Sequence, residues 1–151
     1  MILWRFTRHQ SLDGRGGLLV PGRWHSRGHE ILYCAPSPST ALLEVLVHAG
    51  VSQPSALGDF RFLKIEVPDE FAGDRIADAR LPTDWSSRQD LTRSLGDQWL
   101  RTAATPLLWV RSALVPETFN ALVNPKHADS VRIVISEVIA FPVDQRLTRS
   151  T

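Results

Sequence analysis

Cysteine, tyrosine and methionine each occur once in these 151 residues, and lysine occurs twice among seventeen basic residues. With Cys34 alone no internal disulfide can form. No apolar run approaches the roughly 18 residues a membrane helix needs. The opening Met-Ile-Leu-Trp-Arg lacks the basic stretch and apolar core of a secretory signal, so a cytoplasmic protein without membrane contact is expected. Seventeen basic and sixteen acidic residues nearly cancel. A formal net charge of +1 leaves no clustered basic face for a direct grip on nucleic acid. The glycines do not follow Gly-x-Gly-x-x-Gly between a strand and a helix, and no Walker loop occurs. His25 and His29 are four apart but sit in a glycine-containing loop with no third ligand, so no metal is expected. Cys34 and His48 carry no local thiol-protease motif.

The length suits one domain, taken here as 1–151, and 43% hydrophobic with 22% charged residues is ordinary for a globular protein. Strands are expected at Ile2–Phe6, Glu30–Cys34, Phe60–Val67, Leu107–Val110, Phe119–Val123 and Val131–Phe141. Ser37-Pro38-Ser39 opens a helix, the serine as cap and the proline in the first turn, which runs to about Ala49 and ends at Gly50. Leu91, Leu95, Trp99 and Ala103 stand four apart in a second helix, Gln89–Ala103. Gln10–His29 and Pro82–Arg88 read as irregular, the first long enough to suggest function. With strands dominant and helices few, the fold class is α+β, a compact core around a mixed or antiparallel sheet.

Chemistry concentrates between Leu12 and Glu44. Glu44 is flanked by Ala41, Leu42, Leu43, Val45, Leu46 and Val47, and an unpaired carboxylate buried there costs several kcal/mol. His48 falls one turn later on the same face. Arg23 follows Pro21-Gly22, and a guanidinium held by such a loop suits two phosphate oxygens. Trp24 and Tyr33 offer aromatic faces to a heterocycle. Ser112 follows an apolar strand, a place from which a hydroxyl reaches a cleft. Phosphate grip, aromatic face and sheltered carboxylate together suggest an enzyme that holds a dinucleotide and breaks a bond at a ribose carbon.

The segments LDGRGG, GRWHSRG, ILY, ALLEVLVH, TRSLGDQWL, RSALVP and NALVNPKH, with a DQRL ending, resemble in order the RES domain, a bacterial toxin family named for an Arg, a Glu and a Ser. The resemblance runs from Leu12 to Leu147. It implies a fold similar to ADP-ribosyltransferase toxins around an NAD cleft, with the named residues on Arg23, Glu44 and Ser112 and an associated tyrosine on Tyr33. It also implies an Xre-family helix-turn-helix antitoxin as partner, and a homodimer or a hetero-oligomer with it. Two positions depart from the family pattern: His25 stands where Asn is frequent, and Arg111 where Pro precedes the serine.

On this basis the chain is expected to be a toxin that cleaves the nicotinamide–ribose bond of NAD, its substrate, by hydrolysis or phosphorolysis, without a metal. Arg23 would hold the diphosphate, Tyr33 would pack on the nicotinamide or its ribose, Trp24 would border the cofactor cleft, and Ser112 would orient a ribose or the ring. Glu44 would stabilise the oxocarbenium-like transition state. Mono-ADP-ribosylation of a protein is the alternative within the same chemistry. A metal-independent ribonuclease toxin and a non-enzymatic partner of the antitoxin are the others.

Overall fold

The computed structural model describes residues 1–48, 54–71, 73–142 and 144–148. The elements in chain order are β1 (Ile2–Thr7), α1 (Gly16–Leu19), β2 (Leu32–Cys34), α2 (Pro38–His48), β3 (Arg61–Glu66), β4 (Asp74–Arg75), α3 (Gln89–Thr102), β5 (Leu107–Arg111), β6 (Phe119–Val123) and β7 (Val134–Ala140). They form an α+β fold with two sheets, in the orders β1-β3-β7 and β2-β6-β5-β4. Every pairing is antiparallel except β4 with β5, a two-residue parallel contact that the short Asp74-Arg75 pattern did not foretell. The expected strand Val131–Phe141 begins later than its apolar pattern suggested, because 128–132 close a 3₁₀ turn capped by the His127 ring, which accepts from the Asp129 N–H at 3.1 Å.

The two sheets meet where the Trp4 and Ala35 backbones exchange N–H···O bonds, both 2.8 Å, tying β1 to the end of β2. Leu3, Leu32, Leu63, Ile65, Leu107 and Val123 fill the space between the sheets. A second cluster, with Trp24, Ile31, Trp99, Val110 and Leu122, lies between the four-stranded sheet and α3. A third sets Phe6, Ala35 and Leu57 under α2, where Phe6 packs edge-on to Phe141 at 5.0 Å.

Helix α2 starts as its sequence predicts: Ser37 Oγ accepts from the Thr40 N–H at 3.2 Å and Pro38 takes the first helical position. Its C-terminal end, expected at Ala49–Gly50, lies outside the described residues. Only Ala41 of α2 is fully buried, and Leu43 and Val47 are exposed, so the helix packs by one face on β1.

Helix α3 differs from its predicted facing. Its buried positions are Thr92, Gly96, Asp97 and Trp99, while Leu91 and Leu95 are half-buried. The reason is that α3 packs against the backbone of 22–26 as well as against the second apolar cluster. Thr92 Oγ1 donates to the Arg23 carbonyl at 2.6 Å, Arg93 Nε donates to the Gly22 carbonyl at 2.8 Å, and Asp97 Oδ1 accepts from the Ser26 N–H at 2.8 Å. At Gly96 the helix comes so close that a Cβ would run into the Trp24 carbonyl oxygen. Gly96→Ala is therefore expected to destabilise the fold by about 1–3 kcal/mol, the usual cost of overpacking a rigid contact. Urea unfolding of the variant beside the parent protein measures it.

Candidate active site

A cavity of about 470 Å³ opens between the two sheets' junction, α2 and the 20–23 segment, within the size range of small-molecule sites. Its wall includes Arg5 from β1, Arg23 from the loop, Tyr33 and Cys34 from β2, Glu44 and His48 from α2, Arg93 from α3 and Asn120 from β6. Three arginines face one carboxylate among these lining residues, so the cavity suits a ligand carrying more than one negative charge.

Glu44 is held from one side. Its Oε1 accepts from Ser112 Oγ at 3.0 Å and from Asn120 Nδ2 at 2.6 Å, while Oε2 stands 3.3 Å from His48 Nε2. The side chain keeps 22% of its exposure. The burial cost expected of this carboxylate is thus offset by two donors and by contact with the cavity.

Tyr33 and His25 form a second network. The Tyr33 hydroxyl accepts from the Trp24 N–H at 3.1 Å and lies 2.8 Å from His25 Nδ1, which also meets the Gly22 N–H at 3.1 Å. His25 Nε2 lies 3.2 Å from the Val20 carbonyl. A neutral imidazole with its proton on Nε2 satisfies every contact, a tautomer assigned from these bonds. Burial holds His25 below the ordinary histidine range and raises the Tyr33 phenol, which stays protonated. Gly22 has no room for a side chain, since a Cβ there would meet the Tyr33 hydroxyl and the His25 ring.

Four of the expected site residues thus converge, though not all as expected. Arg23 lines the cavity, with one arm, Nη1, donating to the Ser86 carbonyl at 2.6 Å, so the irregular 82–88 segment steadies it. Tyr33 and Glu44 line the cavity directly. Ser112 is 6% exposed and outside the lining. Its hydroxyl donates to Glu44 and accepts from the Leu114 and Val115 N–H groups at 3.1 and 3.2 Å, so it holds the carboxylate. Trp24 needs correcting: it is 2% exposed and packs 5.7 Å from Trp85 in the core, its backbone rather than its ring serving the site. Arg111 is tied away from the cavity by a paired bond to Asp78, both contacts 2.8 Å, which holds the Asp78 carboxyl below its usual range.

Arg5, Arg93 and Asn120 were missed. Arg5 lines the cavity half-buried, with no hydrogen-bond or ion-pair partner for its guanidinium among the described residues, and burial lowers its pKa. A lone charge between buried Leu3 and Phe6, and a lone amide beside Ala121 and Leu122, are the signals that would have found Arg5 and Asn120. Cys34 lines the cavity too, but burial pushes its thiol up to about 11, so at neutral pH it is no thiolate.

Residues 2–144 match the RES domain. The chain belongs to the RES domain family. "Toxin Res" of Pseudomonas putida (strain KT2440) is 41% identical over 152 residues, covering 97% of this chain and 99% of that protein. The "Prs ADP-ribosylating toxin" of Sphingobium sp. (strain YBL2) is 37% identical over 143 residues, covering 91% and 87%. Among solved structures, the Mycobacterium tuberculosis MbcT–MbcA toxin–antitoxin complex contains a chain of the same fold, with a TM-score of 0.73, 17% identity, and 93% and 83% coverage of the two chains.

The neutral, buried His25 has a consequence for stability. Because folding lowers its pKa, the unfolded chain takes up its proton first as pH falls, so this contribution is complete above about pH 6.5 and is lost on acidification below it. His25→Asn is expected to flatten that part of the loss. Urea midpoints of both proteins between about pH 7.5 and 5.5 check it, and equal slopes would contradict it.

Proposed function

We propose that this RES domain protein is a toxin that binds NAD and breaks the bond between the nicotinamide nitrogen and C1′ of its ribose. The observation that carries the reading is the cavity's arrangement: one held carboxylate, Glu44, facing three arginines across a wall that also presents Tyr33. The names of the Pseudomonas and Sphingobium relatives support the toxin activity and the ADP-ribosyl chemistry. The antitoxin complex of the structural neighbour supports a protein partner that restrains it.

In this reading Arg5, Arg23 and Arg93 take the diphosphate, an assignment in which Arg5, without an ion-pair partner among the described residues, gains an anion. Tyr33, fixed through the Trp24 N–H and His25, packs against the nicotinamide or its ribose. As the C–N bond breaks, its electron pair passes to the ring nitrogen and neutralises the pyridinium. C1′ becomes electron-poor, and the carboxylate of Glu44 stabilises that developing positive charge. Water or phosphate then bonds to C1′, and attack by water releases a proton. Ser112 takes part by holding Glu44, without touching the substrate.

A second reading, transfer of the ADP-ribosyl group to a protein side chain, is favoured by the name of the Sphingobium relative and needs the same cavity. Nicotinamide release by the purified protein, with and without phosphate and with mass spectrometry of the product, separates the cases. ADP-ribose formed without phosphate means hydrolysis, and ADP-ribose-1″-phosphate means phosphorolysis. Release that requires an added lysate, with label on a protein, means transfer, and no release in any condition refutes NAD cleavage.

Glu44→Gln is expected to lower kcat by about 10²–10³-fold with the melting temperature little changed, since an electrostatic stabiliser acts only as charge develops. Arg5→Ala and Arg23→Ala are expected to raise KM chiefly. Steady-state kinetics beside thermal melts check both, and a Glu44→Gln protein of near-parental kcat would refute the assignment.

A further inference from the structure

Asn120 sits in β6 immediately before Ala121, Leu122 and Val123, which are fully buried. Its Nδ2 donates to Glu44 Oε1 at 2.6 Å, a short bond of the charge-assisted kind. Its Oδ1 is buried with no hydrogen-bond partner among the described residues. Charge fixes this orientation, because turning the amide over would set Oδ1 against a carboxylate oxygen. The strand therefore carries a buried, unsatisfied acceptor, a penalty that an apolar residue would avoid. What the amide accomplishes in return is its bond to Glu44.

That bond has a direction. Asn120 from β6 and Ser112 from the turn after β5 converge on the same oxygen, Oε1. Oε2 is left with His48 Nε2 at 3.3 Å, and Glu44 and His48 both line the cavity. The carboxylate is thereby divided into an oxygen held by the protein and an oxygen presented to a ligand. Without Asn120, Oε1 would keep only the Ser112 hydroxyl, on a side chain that can rotate about three bonds on the rim of α2.

We propose that Asn120 is a positioning residue that fixes Glu44 through Oε1 and leaves Oε2 directed at the reacting sugar. This rests on the reading that Glu44 is the carboxylate of the reaction. The other charged or titratable groups facing that carboxylate across the cavity are His48 on the same helix, Arg5 on β1, Arg23 on the loop, Arg93 on α3, and Tyr33 and Cys34 on β2. None of them is a second carboxylate.

Asn120→Asp keeps the side chain's shape and replaces the donor by an acid. Two carboxyl groups would then share the space of the 2.6 Å contact, and like charge makes the pair hold a proton to higher pH. The expected result is an acid limb of the kcat profile displaced upward by at least about one pH unit, with activity partly recovered in alkali. Asn120→Ala should lower kcat by about ten-fold with KM nearly constant, matching loss of one bond to a charged group. Melting temperatures of both variants accompany the kinetics, and the isosteric Asp variant decides the matter if the Ala variant fails to fold.

A ¹³C-carboxyl NMR titration of Glu44, assigned through Glu44→Gln, gives a readout independent of turnover. Its midpoint should move upward in Asn120→Asp relative to the parent protein. If the parent cleaves no NAD yet that midpoint moves, the NAD reading fails while the coupling of Asn120 to Glu44 stands. An unmoved midpoint, or an Asp variant equally impaired at every pH, overturns the proposal.

Discussion

The site depends on one contact: α3 pressed against the backbone of residues 22–26. Thr92, Arg93 and Asp97 each bond to that segment, and Gly96 lets the helix touch the Trp24 carbonyl. A glycine-rich loop has high conformational freedom and buried backbone groups that need partners. Helix α3 supplies both the partners and the confinement from about 70 residues away in sequence. Once the loop is fixed, Arg23 is fixed with it, and the Trp24 N–H becomes the donor that holds the Tyr33 hydroxyl. Trp24 and Trp99 fill the core beneath.

The second constraint is the placement of the carboxylate. Glu44 rises from a helix that touches the protein by one face, and its position is completed by Ser112 and Asn120 from the other sheet. The junction of the two sheets at Trp4 and Ala35 makes this possible, because it brings β1 and β2 under α2 and leaves the cavity beside them. Arginines from three parts of the chain repel one another in so small a space, and the Arg5 guanidinium has no hydrogen-bond or ion-pair partner among the described residues. An anionic ligand completes that arrangement, which is why the proposed dinucleotide fits the charge as well as the carboxylate.

Arg23, Tyr33 and Glu44 were legible as candidates because each breaks its local pattern: an arginine inside a glycine-rich loop, the lone tyrosine ending an apolar run, an acid inside an apolar helix. Most strands and both long helices were legible for the same reason, periodicity being a local property. Trp24 was misread because type alone does not tell a ring that borders a cleft from one that lies beneath it. Ser112 was singled out by the family resemblance, and its surroundings are hydrogen bonds to Glu44, Leu114 and Val115 that no local pattern announces. Arg5 and Asn120 stayed hidden because a single polar residue in a strand looks like one that faces water.

By itself, then, the sequence determined the α+β class, the capped start of α2, the family, and which residue types stand ready for charge and bond-breaking. Tertiary structure alone decided the division into two sheets, the facing of α3, the burial of Trp24, and the gathering of Arg5, Arg23, Glu44, Asn120 and Arg93 around one cavity. The reason is physical. Turn propensity, capping and amphipathic period act over a few neighbouring residues, whereas the partner of a buried carboxylate or backbone carbonyl is chosen by where distant segments pack.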